Sequence, residues 1–222
     1  MNSKKFFLVF VGMLILVLNV RAQNSYHGDE KPIHFGFSLG FNTMDFGIAP
    51  SNVADVSTLI PGFSVGIVSD LLISRYLNLR FTPTLHFGER EISYVNKTLA
   101  PIRVSSIPMS VPLYIKLSAE RYGNLRPYLI GGGGVYFDLG RNADKPILLR
   151  SFDPFVEVGV GCDIYFSFFK LAPELKFALG FNNMLTPIDE RNTGLLSDAD
   201  KEYTKVLNKL TSRLITLTFN FE

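Results

Sequence analysis

Four consecutive glycines, Gly131–Gly134, stand inside "LRPYLIGGGGVYFDLG" (Leu125–Gly140), the stretch that comes nearest to a phosphate cradle. A phosphate loop needs backbone N–H groups at a helix start and a Lys-Ser or Lys-Thr pair after the glycines. Val135, Tyr136 and Phe137 follow instead, so the nucleotide reading fails. "GVGCDI" at 159–164 lacks the third glycine of a dinucleotide fingerprint. His34, or His86 with a Ser and a Glu from elsewhere, is what a lipid hydrolase or acyltransferase on a barrel rim would use. No G-x-S-x-G elbow accompanies them, and His27 lies in a polar N-terminal stretch. Three scattered histidines and one cysteine, Cys162, make neither a zinc set nor an intrachain disulfide. No catalytic residue, cofactor, metal or small-molecule substrate is assigned.

The elements that carry these residues begin with a targeting signal. Lys4 and Lys5 precede the apolar run Phe6–Leu18, and Val20-Arg21-Ala22 offers a small residue for cleavage. The run is shorter than the ~20 residues of a spanning helix, so residues 1–22 are expected to be a cleaved secretory signal. Residues 23–33 then form an N-terminal periplasmic segment, and 34–222 the folded domain. Removing 1–22 takes Lys4, Lys5 and Arg21 from the 22 basic side chains and none from the 20 acidic ones. The remaining signs balance, which leaves no electrostatic case for nucleic acid.

Beyond residue 33 the apolar residues recur with period 2 in eight segments. Phe35, Phe37, Leu39 and Phe41 alternate with Gly36, Ser38 and Gly40. Phe63, Val65 and Ile67 alternate with Ser64, Gly66 and Val68. Leu77, Leu79, Phe81, Leu85 and Phe87 oppose Asn78, Arg80, Thr82, Thr84 and His86. Met109, Val111, Leu113, Ile115 and Leu117 oppose Ser110, Tyr114 and Lys116. The glycine stretch is the fifth segment. Then come Val156, Val158, Val160 and Ile164; Leu171, Leu175, Phe177 and Leu179; and Ile215, Leu217, Phe219 and Phe221.

Alternation alone does not say which face meets lipid. An eight-stranded barrel is just wide enough inside for side chains to fill, and the large apolar residues would overfill it. The charges fall on the opposite face, and a lipid-facing Lys or Arg would cost roughly 2–4 kcal/mol at the midplane. The expected fold is therefore all-β, an eight-stranded antiparallel transmembrane β-barrel in the outer membrane, with lipid outside. Arg80, His86, Lys116, Arg126, Glu157, Asp163, Glu174 and Lys176 would form a polar lumen network. A conduit is the alternative, but unpaired buried charges are costly and the mixed signs suit a plug.

Connections near 43–61, 89–104, 140–153 and 182–211 are long; those near 70–76, 119–124 and 167–168 are short. That places both termini and the short turns in the periplasm. In the last long connection, Ser197 or Asp198 can cap a short amphipathic helix. Tyr203, Val206, Leu207 and Leu210 would form its apolar face, with Lys205 and Lys209 toward its end. Pro83, Pro108, Pro112, Pro127 and Pro173 lie in or beside strands and demand ends, bulges or gaps.

"SSIPMSVPLYIKLSAERYGNLRPYLIGGGGVYFDL" resembles the PorT family of outer-membrane barrels. The shared pattern is a Pro-x-x-x-Lys strand (Pro112, Lys116), a short turn, then Arg126-Pro127-Tyr128 before a Gly-rich strand. The resemblance implies a non-enzymatic accessory or scaffold of a type IX protein-secretion translocon. Its partners would be outer-membrane lipids and other secretion-machine proteins. The alternative is a surface-binding or adhesion barrel working through loops 43–61 and 182–211. Outward-facing Gly131 and Gly133 would leave a flat strip on the lipid face for a partner.

Overall fold

The computed structural model describes residues 32–49, 54–58, 60–94, 101–140, 147–187, 207 and 209–222. The expected signal (1–22), most of the segment 23–33 and most of the helix in the last loop lie outside these residues. Leu210, assigned above to that helix, is strand.

Eleven β-strands are formed: β1 (Ile33–Ala49), β2 (Ala54–Thr58), β3 (Pro61–Ser74), β4 (Leu77–Phe81), β5 (Thr84–Tyr94), β6 (Ile102–Ser106), β7 (Pro108–Ser118), β8 (Leu125–Asp138), β9 (Phe152–Tyr165), β10 (Lys170–Gly180) and β11 (Lys209–Phe221). Three pairs, β2/β3, β4/β5 and β6/β7, are each one barrel strand with a short interruption. Each of the resulting eight strands pairs antiparallel with its sequence neighbours, and β1 pairs with both β3 and β11. The ladder closes on itself, which removes the sheet edge that lipid cannot satisfy.

The expected faces hold along the walls. Phe35, Phe37, Phe41, Ile67, Leu113, Leu129, Val158 and Leu217 point outward and are exposed, while Ser38, Asn42, Ser64, Arg80, Lys116 and Thr216 are buried inside. Large inward residues lie directly opposite inward glycines: Tyr114 opposite Gly132, Tyr128 opposite Gly161, Lys176 opposite Gly159. A Cβ on Gly161 would stand 2.4 Å from the Tyr128 ring, so the missing side chain is the space the ring occupies.

The prolines sit in gaps that keep register. Phe81 faces Leu113 and Thr84 faces Ser110, which places Thr82 opposite Pro112. Pro112 has no N–H for the Thr82 carbonyl, and the Thr84 hydroxyl donates to that carbonyl instead, at 3.0 Å. Pro83 occupies the same interruption, and its own carbonyl accepts from Ile67 N–H at 3.1 Å. Pro173 falls in a second gap: Leu171 pairs Ile164 and Glu174 pairs Gly161, with no pairing between. Pro108 opens β7, and Pro127 is the third residue of β8.

Two expected loops are corrected. The connections near 43–61 and 89–104 contain regular ladder: β1 runs on to Ala49, β2 pairs with β5, and β5 pairs with β6. The physical reason is an inversion of the pattern. On β5 the outward residues pass from Leu85 and Phe87 to Glu89 and Glu91, while the inward ones pass from Thr84 and His86 to Ile92 and Tyr94. Beyond the lipid belt the sheet is water-facing outside and apolar inside, as in a soluble sandwich. Directly opposed outward pairs confirm the water face: Glu91 with Arg103 at 3.1 Å, and Asp45 with Arg213 at 4.0 Å.

Candidate functional site

The lumen is filled in three layers. Nearest the short turns, inward positions of β3, β4, β7, β9 and β10 converge on Arg80, which is 0% exposed. Its Nη2 donates to Asp70 Oδ2 at 2.6 Å and to Glu222 Oε1 at 2.8 Å, and its Nη1 to Glu174 Oε1. Lys116 Nζ donates to both carboxylate oxygens of Asp163, at 2.7 and 2.9 Å, and lies 3.5 Å from Asp70. Lys170 pairs with Glu222 Oε2 at 2.7 Å. Lys176 stands 3.7 Å from Glu174 and 3.9 Å from Glu157. Two tyrosines complete the set: Tyr128 donates to Glu174 at 2.7 Å and Tyr114 donates to Glu157. The Lys116 ammonium also lies 4.1 Å from the centre of the Tyr128 ring.

Removing these ions from water costs several kcal/mol each, and only multiple charge-assisted hydrogen bonds repay that. Four cations (Arg80, Lys116, Lys170, Lys176) meet five carboxylates (Asp70, Glu157, Asp163, Glu174, Glu222) within 4.0 Å contacts, so the charges largely cancel in place. The arrangement is a cross-linked plug tying strands far apart in sequence.

Above it, His86 bridges two serines. Ser64 Oγ lies 3.1 Å from its Nδ1 and Ser110 Oγ 3.0 Å from its Nε2. Asn42 Nδ2 donates to Ser64 Oγ at 2.8 Å, and Ser110 Oγ donates to the Thr84 carbonyl at 3.3 Å. Each hydroxyl has one proton, so the direction follows. Ser110 must accept from Nε2–H, and Nδ1 must accept from Ser64. One neutral tautomer satisfies the whole relay. Ser64 is 1% exposed, and its Oγ accepts from Asn42 while donating to His86, so the hydroxyl is sealed inside the lumen. His86→Phe should strand Ser64 and the Ser110–Asn42 relay and lower unfolding free energy by about 1–3 kcal/mol in denaturant titration. Unchanged stability would show that the relay is not formed.

At the long-loop end the lumen turns apolar. Phe46, Ile92, Tyr94, Val104 and Leu210 from the extended strands enclose Ile147, Leu149, Met184, Leu185 and Leu207. Leu149 bridges Leu185. Arg90 marks the boundary, 4.0 Å from the centre of the Phe46 ring.

Six of the expected network residues come together: Arg80, Lys116, Glu157, Asp163, Glu174 and Lys176. His86 is in the lumen but bonds to hydroxyls. Arg126 lies apart at the short-turn end, where its Nε donates to the Ala119 carbonyl at 3.0 Å and its Nη2 to that of Arg75. Asp70, Lys170 and Glu222 were not foreseen as network members, nor Arg90 as the residue at the apolar boundary. Each continues an inward phase: Asp70 two residues after Val68, Glu222 two after Asn220, Lys170 four before Glu174, Arg90 four after His86. Gly131 and Gly133 face outward on β8 beside Val158 and Val156.

A closed antiparallel ladder with an apolar belt outside and charges inside is that of an outer-membrane β-barrel. The chain belongs to the outer membrane protein beta-barrel domain family, whose model matches residues 21–186. No curated protein matches it by sequence. Among solved structures it is similar to Neisserial surface protein A, at 10% identity and TM-score 0.47, over 86% of this chain and 98% of that one. It is also similar to the N-terminal barrel domain of Pseudomonas aeruginosa OprF, at 15% identity and TM-score 0.33, over 82% and 96%. A third is outer membrane protein AlkL, at 12% identity and TM-score 0.38, over 90% and 93%.

Proposed function

We propose that this barrel is non-enzymatic and acts through its outer surfaces, as an accessory or scaffold component beside the pore of a type IX protein-secretion machine. The supporting observation is the filled lumen. The Arg80 guanidinium and the Asp70, Glu174 and Glu222 carboxylates it contacts lie buried below an apolar cluster, which suits a structural member better than a conduit. The resemblance of Pro112, Lys116, Arg126-Pro127-Tyr128 and the glycine strand to the PorT pattern supplies the particular machine. In this reading the short turns and both termini face the periplasm, and the strip at Gly131 and Gly133 receives a membrane partner. Deleting the gene should trap export cargo in the periplasm and complementation should release it; normal export in the deletion strain would overturn the proposal.

A second reading is a surface-binding or adhesion barrel. It is favoured by the ladder that extends past the lipid belt with paired charges outside, Glu91 with Arg103 and Asp45 with Arg213. Trimming the long loops should then abolish binding to a surface ligand while export stays normal.

A further inference from the structure

We propose that the short-turn end carries a binding site for one anionic phospholipid, with its phosphate on an arginine cluster and an acyl chain in a groove on the barrel wall. The two turns nearest each other here are 75–76 and 119–124. They contribute Arg75 and, at the start of β8, Arg126, against Glu120 as the single carboxylate of those turns. Arg121 instead lies 4.0 Å over the ring of the buried Tyr165 and donates from Nε to the Gly123 carbonyl at 2.8 Å. Arg126 clamps the two turns together through the Ala119 and Arg75 carbonyls, so the cluster is held by backbone geometry. No described carboxylate forms a salt bridge with Arg75 or Arg126. Arg75 is exposed and lies 5.3 Å from the centre of the Tyr76 ring. Glu120 is engaged by the Tyr76 hydroxyl at 3.1 Å. Within these two turns and the start of β8 the excess of charge is positive.

Directly beside the cluster an open groove of about 510 Å³ runs up the wall between Tyr76, Leu117, Ala119, Pro127, Leu129 and Val160. A second groove, of about 570 Å³, continues from the shared Leu129 and Val160 past Val158 to Leu175 and Phe177. The trough follows the middle of β9, where the outward residues Val158 and Val160 are short, flanked by Leu129 on β8 and Leu175 on β10. Its walls are apolar and its mouth is basic. That polarity matches a lipid with an anionic headgroup rather than a free anion or a neutral lipid.

The test uses the purified full-length barrel in phosphatidylcholine nanodiscs, with and without phosphatidylglycerol, and native mass spectrometry of retained lipid. The wild type should retain phosphatidylglycerol over phosphatidylcholine. Arg75→Gln should cut that preference roughly fivefold, the factor one basic side chain near an anionic headgroup supplies. Its backbone carbonyl, which Arg126 uses, is untouched. Val160→Trp, outward and lipid-facing, should block the trough and lower retention of both lipids while the barrel keeps its folded circular dichroism. Equal retention of both lipids by the wild type would overturn the site. So would an Arg75→Gln preference equal to wild type, or inorganic phosphate in detergent raising the melting temperature as much as the lipid does. None of these outcomes depends on an export role, which the deletion experiment tests separately.

Discussion

Replacing Arg80 with methionine should remove a large part of the barrel's stability. Methionine keeps the length and apolar stem but leaves Asp70, Glu174 and Glu222 facing each other without the guanidinium that each of them contacts. Breaking one buried pair by removing a partner costs about 3–5 kcal/mol. Three carboxylates lose a partner here, against a total of about 5–15 kcal/mol for an ordinary domain. Lys116, 3.5 Å from Asp70, and Lys170, on Glu222, compensate only in part. Glu174 keeps Tyr128 and the more distant Lys176. Arg80→Lys should fail nearly as badly, because one ammonium cannot reproduce a fork that reaches Asp70 on β3, Glu174 on β10 and Glu222 at once. The chain has no Trp, so guanidinium unfolding in phospholipid vesicles is best followed by far-ultraviolet circular dichroism. Adding Glu174→Gln and Asp70→Asn to Arg80→Met should recover part of the loss by neutralising the stranded carboxylates. If Arg80→Met unfolds at the wild-type midpoint, the plug is hydrated and carries little stability.

How much of this is legible in the sequence depends on what period 2 can carry. Wherever the outward face is lipid, alternation sorts the side chains onto two faces, and interior volume with the cost of a lipid-facing charge says which is the lumen, so Arg80, Lys116, Glu157, Asp163, Glu174 and Lys176 are placed there. Arg126 has the same phase but sits at a strand end, where a long side chain can turn back to the carbonyls of the turns; phase does not encode depth. The pattern also fails where the solvent outside changes. Glu89 and Glu91 read as a loop because an outward charge is incompatible with lipid, yet above the belt the same residues are the water face of continuing strands. The apolar cluster around Ile92 and Leu210 could not be read at all. It joins residues from separate long connections, and nothing local marks Leu149 as the neighbour of Leu185. The prolines show the reverse case. Their presence signalled gaps, but only the register showed Thr84 serving the carbonyl that Pro112 leaves unpaired.

The glycine run allows the sharpest comparison, because neighbouring residues of one strand should respond in opposite ways. A Cβ on Gly132 would stand 2.1 Å from the Leu113 carbonyl oxygen and 2.8 Å from the Tyr114 Cα, both backbone atoms of β7 that cannot yield without parting the strands. On Gly134 the nearest atom is the Val111 oxygen at 2.5 Å, and on Gly133 the Phe155 oxygen at 2.9 Å. On Gly131 the nearest contacts are ordinary, Val158 Cγ1 at 3.9 Å and the Glu157 oxygen at 4.0 Å. Gly132→Leu should therefore prevent closure or cost more than ~3 kcal/mol, the upper end of ordinary overpacking, because the clash is with main chain and adds bulk beside the buried Tyr114 ring. Gly131→Leu should fold like the wild type, since leucine there projects into lipid. Alanine substitutions should rank 131, 133, 134, 132 in increasing damage, measured as the fraction that keeps compact, heat-modifiable mobility on a gel after refolding into vesicles. A flat response across the four positions would mean that β8 and β7 are further apart than described. If the ranking holds, Gly131→Leu becomes a clean probe of the lipid face: it adds bulk outside a barrel whose inside is unchanged, so a complex lost in that variant is lost at the surface.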